Sequence, residues 1–322
     1  MKNNLDEQQS ISYHAEILAN RVSKRFAHLS KKFSRQNIEC FRLYDWDIPE
    51  VRAVVDWYAG HVVVGEYVHK QSLPDWLPQM AEAVGNALKV PLELVHIKRR
   101  QTKVEEGLRY SKMGSQNERL EVKENDLKFW VNLDDFLDTG LFSDHRDTRS
   151  MIRKLAAGKD FLNLYGYTGT FSCAAALGGC QSTVTVDRSA TYLKWAEDNF
   201  KLNGITTDSK HIFERFDVEK YLIHAAREKY KFTLAFVDPP SFFKDHEQER
   251  SFDVDRDHPQ LLQQVLKVMV PDSFVFFSTN HQRFTPKFDG LKVQGLTEIT
   301  AKTIPEDYRN KQIHRCWKMI AI

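Results

Sequence analysis

The sequence predicts an α/β protein: a doubly wound, mostly parallel sheet of seven strands, preceded by a smaller α+β domain and a β-hairpin. Three observations carry this expectation. Strand-like and helical runs alternate from about residue 140 onward, short β-rich runs dominate from Ile38 to Arg100, and 322 residues exceed the roughly 100 to 200 usual for one domain. The expected divisions are a basic helix over 1–37, a small α+β domain over 38–119, a hairpin linker over 120–139 and the large sheet domain over 140–322.

In chain order, Tyr13 to Gln36 carries apolar residues at helical spacing, Ile17, Leu18, Val22, Phe26, Leu29 and Phe33. Arg21, Lys24, Arg25, Lys31, Lys32 and Arg35 fill the intervening positions with almost no acid among them. Such a face is either a solvated helix surface or a phosphate-contacting one, and the charge run alone does not decide. Short strands follow at Ile38 to Tyr44, Val51 to Tyr58 and His61 to Tyr67, then a helix after Pro74 and a strand over Leu92 to Lys98. Leu120 to Lys123 and Lys128 to Leu133 flank the polar turn Glu124-Asn125-Asp126-Leu127 and read as a hairpin.

The alternating region places strands at Phe161 to Tyr165, Ser182 to Asp187, His211 to Phe216, Thr233 to Val237 and Ser273 to Ser278. Helices are expected near Phe171 to Leu177, Ala190 to Leu202, Val218 to Tyr230 and Pro259 to Val270, and final strands over Leu296 to Thr303 and His314 to Ile322.

Composition narrows the classes. With 42% hydrophobic and 28% charged residues, and only 14 Gly and 10 Pro, collagen-like, low-complexity and disordered readings fail. Lys plus Arg number 46 against 44 for Asp plus Glu, a formal charge of +2, so any nucleic-acid surface must be local. Cys40, Cys173, Cys180 and Cys316 show no C-x-x-C spacing; no metal is expected, and a reducing cytoplasm fits. The opening residues lack an apolar h-region, and no stretch approaches the ~18 to 20 apolar residues of a membrane span, so no membrane association is expected.

In an open parallel sheet the ligand sits beyond the carboxyl ends of the strands, and four such loops carry chemistry. The first, Asn163 to Thr170, holds Gly166 and Gly169, which let the backbone turn tightly just before a helix N-terminus; a plain structural turn is the alternative. Asp187 ends the second strand 18 residues beyond Gly169, close to the roughly 20-residue spacing at which an acid meets a ribose diol. A dinucleotide enzyme is disfavoured because Gly166-Tyr167-Thr168-Gly169 lacks the G-x-G-x-x-G spacing. Asp217 either accepts from an adenine amine or caps the next helix. The fourth strand ends in Asp238-Pro239-Pro240-Ser241-Phe242-Phe243, where two prolines stiffen the chain beyond a carboxylate, as a wall beside a planar base would require.

Asn163-x-Tyr165-x-Tyr167-Thr168-Gly169, Asp187, Asp217 and Asp238-Pro239-Pro240-Ser241 resemble the motifs of class I S-adenosylmethionine-dependent RNA methyltransferases, whose catalytic domain is Rossmann-like. Leu127 to Leu133, Leu137 to Arg146 and Ser251 to His258 are similar to the C-terminal module of bifunctional bacterial 23S rRNA guanine methyltransferases, the module that makes 7-methylguanosine. Asn20 to Val22, Ile38 to Asp45 and Val63 to Tyr67 extend the likeness over nearly the whole chain.

The resemblance implies S-adenosylmethionine as cofactor, held by Phe142, Asp144, Arg149, Asn163, Tyr165, Gly166, Thr168, Gly169, Asp187, Arg188, Asp217 and Val218. Within that set, the loop from Asn163 to Gly169 would hold the methionine part, Asp187 the ribose and Asp217 the adenine. Asp144 and Arg149 would pair with the ammonium and carboxylate or form a structural ion pair. Asp238, Pro239, Pro240, Ser241 and Phe242 would face the target guanine. The implied partner is 23S rRNA or a ribosome-assembly precursor, bound through 38–119 and the basic helix.

The bifunctional proteins carry an RNA-binding domain and a guanine-N2 methyltransferase upstream of this module. The likeness therefore leads us to expect either an excised half or a separate guanine-N2 methyltransferase protein as partner. The competing readings are a 5-methylcytosine enzyme, which needs a cysteine nucleophile that the stretch from Asp238 to His258 lacks, a guanine-N2 enzyme, and an RNA-binding module that has lost catalysis.

Overall fold

The computed structural model describes residues 2–68, 72–101, 114–245 and 250–322. The chain divides into two compact units, Met1–Ser143 with Glu306–Arg309, and Asp144–Pro305 with Asn310–Ile322.

The first unit opens with α1 (Lys2–Arg35), which fits the expected helix over 1–37; its polar beginning carries no apolar period, so the pattern is readable only from Tyr13. Ile11, Leu18, Val22, Leu29 and Phe33 form its buried stripe. Strands β1 (Cys40–Asp45), β2 (Ala53–Tyr58) and β3 (His61–Val68) form an antiparallel meander. Helix α2 (Trp76–Leu88) then crosses over to β4 (Val95–Gln101), which pairs parallel with β3. Both helices contribute to one core with this sheet, through Leu77, Met80 and Val84 of α2 beside Val55, Val62 and Val64. The hairpin of β5 (Leu120–Glu124) and β6 (Leu127–Val131) closes on Asn125-Asp126, with Asn125 at φ +59°, a conformation Asn tolerates well. Its Lys123 carbonyl accepts from the Glu39 N–H at 2.9 Å, so the hairpin packs within the first unit.

The second unit contains α3 (Arg146–Leu155), β7 (Asp160–Leu164), α4 (Thr170–Leu177), β8 (Ser182–Asp187), α5 (Ala190–Leu202), β9 (His211–Arg215), α6 (Val218–Arg227) and β10 (Phe232–Val237). It continues through β11 (Phe242–Asp245), β12 (Arg250–Asp253), α7 (Val254–Lys267), β13 (Met269–Thr279), β14 (Val293–Glu298), α8 (Thr300–Thr303) and β15 (Arg315–Ala321). Seven strands lie in the order β14-β15-β13-β10-β7-β8-β9, and only β15 runs against the rest. This is the Rossmann-like class I methyltransferase sheet that the alternating pattern predicts. The central strands β7, β10 and β13 are buried on both faces, so their residues divide by period two. Leu162, Leu164, Ala235, Val237, Val275 and Phe277 enter the layer with α6 and α7, while Phe161, Leu234, Phe236 and Phe276 enter the layer with α3 and α4.

Two local readings change. The expected strand Leu296 to Thr303 is β14 followed by the single turn α8. The helix expected to open at Pro259 begins at Val254, capped by Asp253, whose side chain accepts from the Asp255 N–H at 2.9 Å. Proline inside the helix removes the donor that would serve the Asp255 carbonyl, and Lys287 Nζ donates to that oxygen instead, at 3.0 Å.

Candidate active site

The order of strands reverses between β7 and β10, so the crevice above their carboxyl ends is where a ligand belongs. There the loops after β7, β8 and β9 are knitted together at one residue. Asp187 Oδ2 accepts from the Tyr167 N–H at 2.9 Å, Oδ1 accepts from the Ser189 N–H at 2.8 Å, and the Asp187 carbonyl accepts from the Phe216 N–H at 3.1 Å. Burial pushes the Asp187 carboxyl above the usual carboxylate range, against the pull of those backbone donors.

The loop after β7 is unusually constrained. Tyr165 and Tyr167 both hold positive φ, +56° and +48°, a strained choice for aromatic residues that clusters at ligand sites. Gly169 has φ +69°, and a Cβ there would lie 2.6 Å from that of Ala196. Glycine thus permits both the turn and the close approach of α5. Gly169 leaves α4 without a side-chain cap, so the first N–H groups of that helix face the loop as an anion site.

Other expected residues serve the frame. Asn163 is buried and donates to Ser172 Oγ at 3.0 Å, and the Thr168 carbonyl accepts from Asn199 Nδ2 at 2.9 Å. Asp217 caps α6, its Oδ1 accepting from the Glu219 and Lys220 N–H groups at 3.1 and 3.2 Å; its other oxygen remains for an amine, so the two readings of this acid are compatible. Val218 is buried in α6. The Arg188 guanidinium lies 5.2 Å from the Phe243 ring centre and ties the β8 loop to β11. Phe142 belongs to the first unit and is 42% exposed, whereas Asp144 and Arg149 belong to the second. Arg149 is fully buried, with its guanidinium over the Phe171 ring at 5.6 Å.

After β10, Asp238 meets a partner that the sequence does not advertise. His145 Nε2 lies 3.3 Å from Asp238 Oδ2 and 3.9 Å from Asp144 Oδ2, and its ring stacks on that of His314 at 4.2 Å. His314 Nδ1 is in turn 3.0 Å from Asp144 Oδ2. Burial by itself lowers the His145 pKa, but the Asp144 and Asp238 carboxylates outweigh it and raise the value above the ordinary one. Burial, then the neighbouring His145 charge, lowers that of His314. His145 is thus the ring of the pair whose charged form the two acids favour. A raised histidine value stabilises the fold fully below the ordinary range, and that contribution is lost as pH climbs through the raised value. His145 falls inside a stretch quoted above only for its likeness, and His314 lies 169 residues further on, so no local spacing joins them.

Beyond the two prolines, Ser241 Oγ donates to Asn280 Oδ1 at 2.8 Å and Phe242 is 44% exposed. Phe243 stacks on Phe252 across the β11–β12 hairpin at 5.3 Å. The motif Ser251 to His258 resolves into this hairpin and the start of α7. His258 is buried there, its Nδ1–H on the Val254 carbonyl and its Nε2 accepting from the Lys287 N–H, which fixes it as a structural histidine.

Of the six basic residues singled out between Arg21 and Arg35, three are engaged by acids or carbonyls remote in sequence. Arg21 pairs with Asp47 at 2.8 Å, Arg25 donates to the Asp307 carbonyl at 3.0 Å, and Lys32 pairs with Glu306 at 2.5 Å. Lys24, Lys31 and Arg35 are exposed.

Comparison with known proteins follows this geometry. A family model described as S-adenosylmethionine-dependent methyltransferase matches residues 49–308. The chain is 41% identical over 307 residues to "Ribosomal RNA large subunit methyltransferase K" of Neisseria meningitidis, covering 94% of this chain and 86% of that one. It is 40% identical over 321 residues to "Ribosomal RNA large subunit methyltransferase K/L" of Aeromonas salmonicida, covering 97% of this chain but only 44% of that protein's length. Among solved structures, a protein described as an S-adenosylmethionine-dependent methyltransferase from Streptococcus mutans aligns at TM-score 0.72 and 21% identity, over 97% of this chain and 81% of that one. A methyltransferase complexed with SAH aligns at TM-score 0.74 and 22% identity, over 97% and 82%. One from Agrobacterium tumefaciens aligns at 0.59 and 16%, over 88% and 90%. At these identities the likeness is one of fold. Among the described residues no helix is long and apolar enough to cross a membrane.

Proposed function

The chain belongs to the S-adenosylmethionine-dependent methyltransferase family and uses that cofactor, and from this premise we propose that it methylates a guanosine of 23S rRNA at N7. The donor set at the crevice fits the cofactor. Asp187 suits the ribose diol, the free oxygen of Asp217 the adenine amine, and the uncapped N-terminus of α4 the carboxylate.

The cofactor supplies a methyl group on a sulfonium. The nucleophile bonds to that carbon as the carbon–sulfur bond breaks, and the positive charge passes from sulfur to the base. Guanine N7 carries an unprotonated lone pair, so no proton need be removed. One observation carries the choice of N7: Asp238 Oδ2 lies 3.3 Å from Nε2 of the buried His145, whose pKa the neighbouring carboxylates raise. An acid so paired is a poor proton acceptor but an effective counter-charge for a cationic product. Methylation of the guanine amino group releases a proton and asks for the opposite. The rigid Asp238-Pro239-Pro240-Ser241 turn then acts by placement, which can supply roughly 7 to 11 kcal/mol of the barrier.

The cysteines speak against pyrimidine chemistry. Cys40, Cys173 and Cys316 are buried; burial pushes the thiols of Cys173 and Cys316 well up and that of Cys180 to about 11, so none of these three is a ready thiolate. Nucleoside mass spectrometry of 23S rRNA methylated in vitro is expected to give 7-methylguanosine, both from the natural chain and from a variant with all four cysteines replaced by Ala or Ser. 5-Methylcytidine or N2-methylguanosine as product would overturn the reading.

For RNA contact, α1 leaves Lys24, Lys31 and Arg35 available for phosphates. Replacing these three with Ala is expected to flatten the slope of log affinity against log salt by about 2, at about 0.7 per single-strand contact, with cofactor affinity unchanged. Replacing Arg21, Arg25 and Lys32 should alter stability more than this slope. Equal slopes for the first triple variant and the natural chain would return α1 to the role of a solvated face.

A further inference from the structure

The first unit contains a cavity of about 350 Å³, within the range of roughly 300 to 1,000 Å³ that small-molecule sites occupy. Glu66 of β3 lines it and is 2% exposed, and its Oε2 is buried without a hydrogen-bond partner among the described residues. A buried acceptor left unmatched is costly and calls for a donor. Arg52 also lines the cavity, its guanidinium set over the Trp46 ring at 5.1 Å. One wall is the buried face of Trp76, fixed because its indole N–H donates to His14 Nδ1 at 3.1 Å.

The charges define the ligand. Among the described lining residues Glu50 at the rim joins Glu66 against one cation, Arg52, and burial lowers the His14 pKa, a balance that disfavours an anion such as a phosphate. It suits a neutral planar group that offers paired donors to a carboxylate and paired acceptors to a guanidinium. Among the four RNA bases only guanine has two adjacent N–H donors, at N1 and N2, and it also carries O6 and N7, the acceptor pair that arginine reads bidentately. We propose that this cavity binds an unpaired guanine of the RNA, a base distinct from the one methylated in the second unit. The proposal rests on the RNA-substrate reading above.

The test uses the full chain saturated with S-adenosylmethionine and single-stranded RNA trimers UGU, UIU and UAU, titrated by calorimetry. Inosine lacks the N2 amine and leaves one carboxylate oxygen unserved. The natural chain is expected to prefer UGU at least tenfold over both others. Glu66→Gln should reduce that preference below threefold, and Arg52→Lys should weaken UGU five- to tenfold, each with unchanged cofactor affinity. Should Glu66→Gln fail to bind cofactor, Arg52→Lys alone decides. A preference that survives in Glu66→Gln, or a natural chain that does not discriminate, overturns the cavity assignment. These outcomes are independent of the product assay: 7-methylguanosine formed alongside an indifferent Glu66→Gln defeats only the cavity. A different methylated nucleoside alongside a sensitive Glu66→Gln defeats only the N7 assignment.

Discussion

Asp238→Ala is expected to lower kcat for methyl transfer 100- to 1,000-fold, read in single-turnover reactions with saturating cofactor and RNA. Removing one preorganised electrostatic group from an active site costs about this much, roughly 2.7 to 4 kcal/mol of transition-state stabilisation. The expectation follows from geometry: Asp238 closes β10 at the crevice, is held in place by His145 at 3.3 Å, and precedes two prolines that fix the turn. The role assigned to the carboxylate is to offset charge arriving on the base, so Asp238→Asn, which keeps the shape and loses the charge, should fall nearly as far. Cofactor affinity should change less than threefold in both, because the groups fitted to the cofactor lie on β8, β9 and α4. A kcat within threefold of the natural value in a folded variant would take Asp238 out of the chemistry.

Asp187→Ala should weaken cofactor binding at least tenfold in calorimetry, about 1.4 kcal/mol. The structure gives this acid a second duty. Its two oxygens receive the N–H groups of Tyr167 and Ser189, so its removal leaves two donors unmatched and loosens a loop whose Tyr165 and Tyr167 sit at positive φ. Asp187→Asn separates the duties: its remaining carbonyl oxygen can hold only one backbone donor, and binding should fall between the two. Unchanged affinity in folded Asp187→Ala would remove the ribose assignment.

Much of this site was legible in the sequence because strands and helices alternate in the second unit and the loops after its strands carry acids that chemistry explains. Asp187, Asp217 and Asp238 lie at or just beyond the carboxyl ends of β8, β9 and β10. The histidine pair was not legible. His145 and His314 are brought together only by the sheet that separates them in sequence, and neither sits in a periodic pattern. The ion pairs of α1 were hidden for the same reason, since Asp47, Glu306 and Asp307 lie far from the basic run they satisfy. Helix α3 was missed because the run from Arg146 to Leu155 is polar overall and its buried face is made of Arg146, Thr148 and Arg149 beside Ile152. Proline misplaced the start of α7, because the lysine that answers the freed carbonyl is 32 residues away.

The placement of β15 between β13 and β14 bears on synthesis. During translation the second unit lacks a central ladder until Arg315–Ala321 has left the ribosome, for β14 has no other neighbour in the sheet. The first unit waits almost as long, since the Arg42 N–H finds Asp307 Oδ2, 265 residues later, and Arg309 reaches Asp47. Pairings of such sequence separation close late and fold slowly. A nascent chain therefore carries both units unfinished until Arg315–Ala321 is made, with the apolar edge of β13 open to other chains. Yield in the cell should accordingly depend on elongation rate and on chaperones that shield an exposed strand.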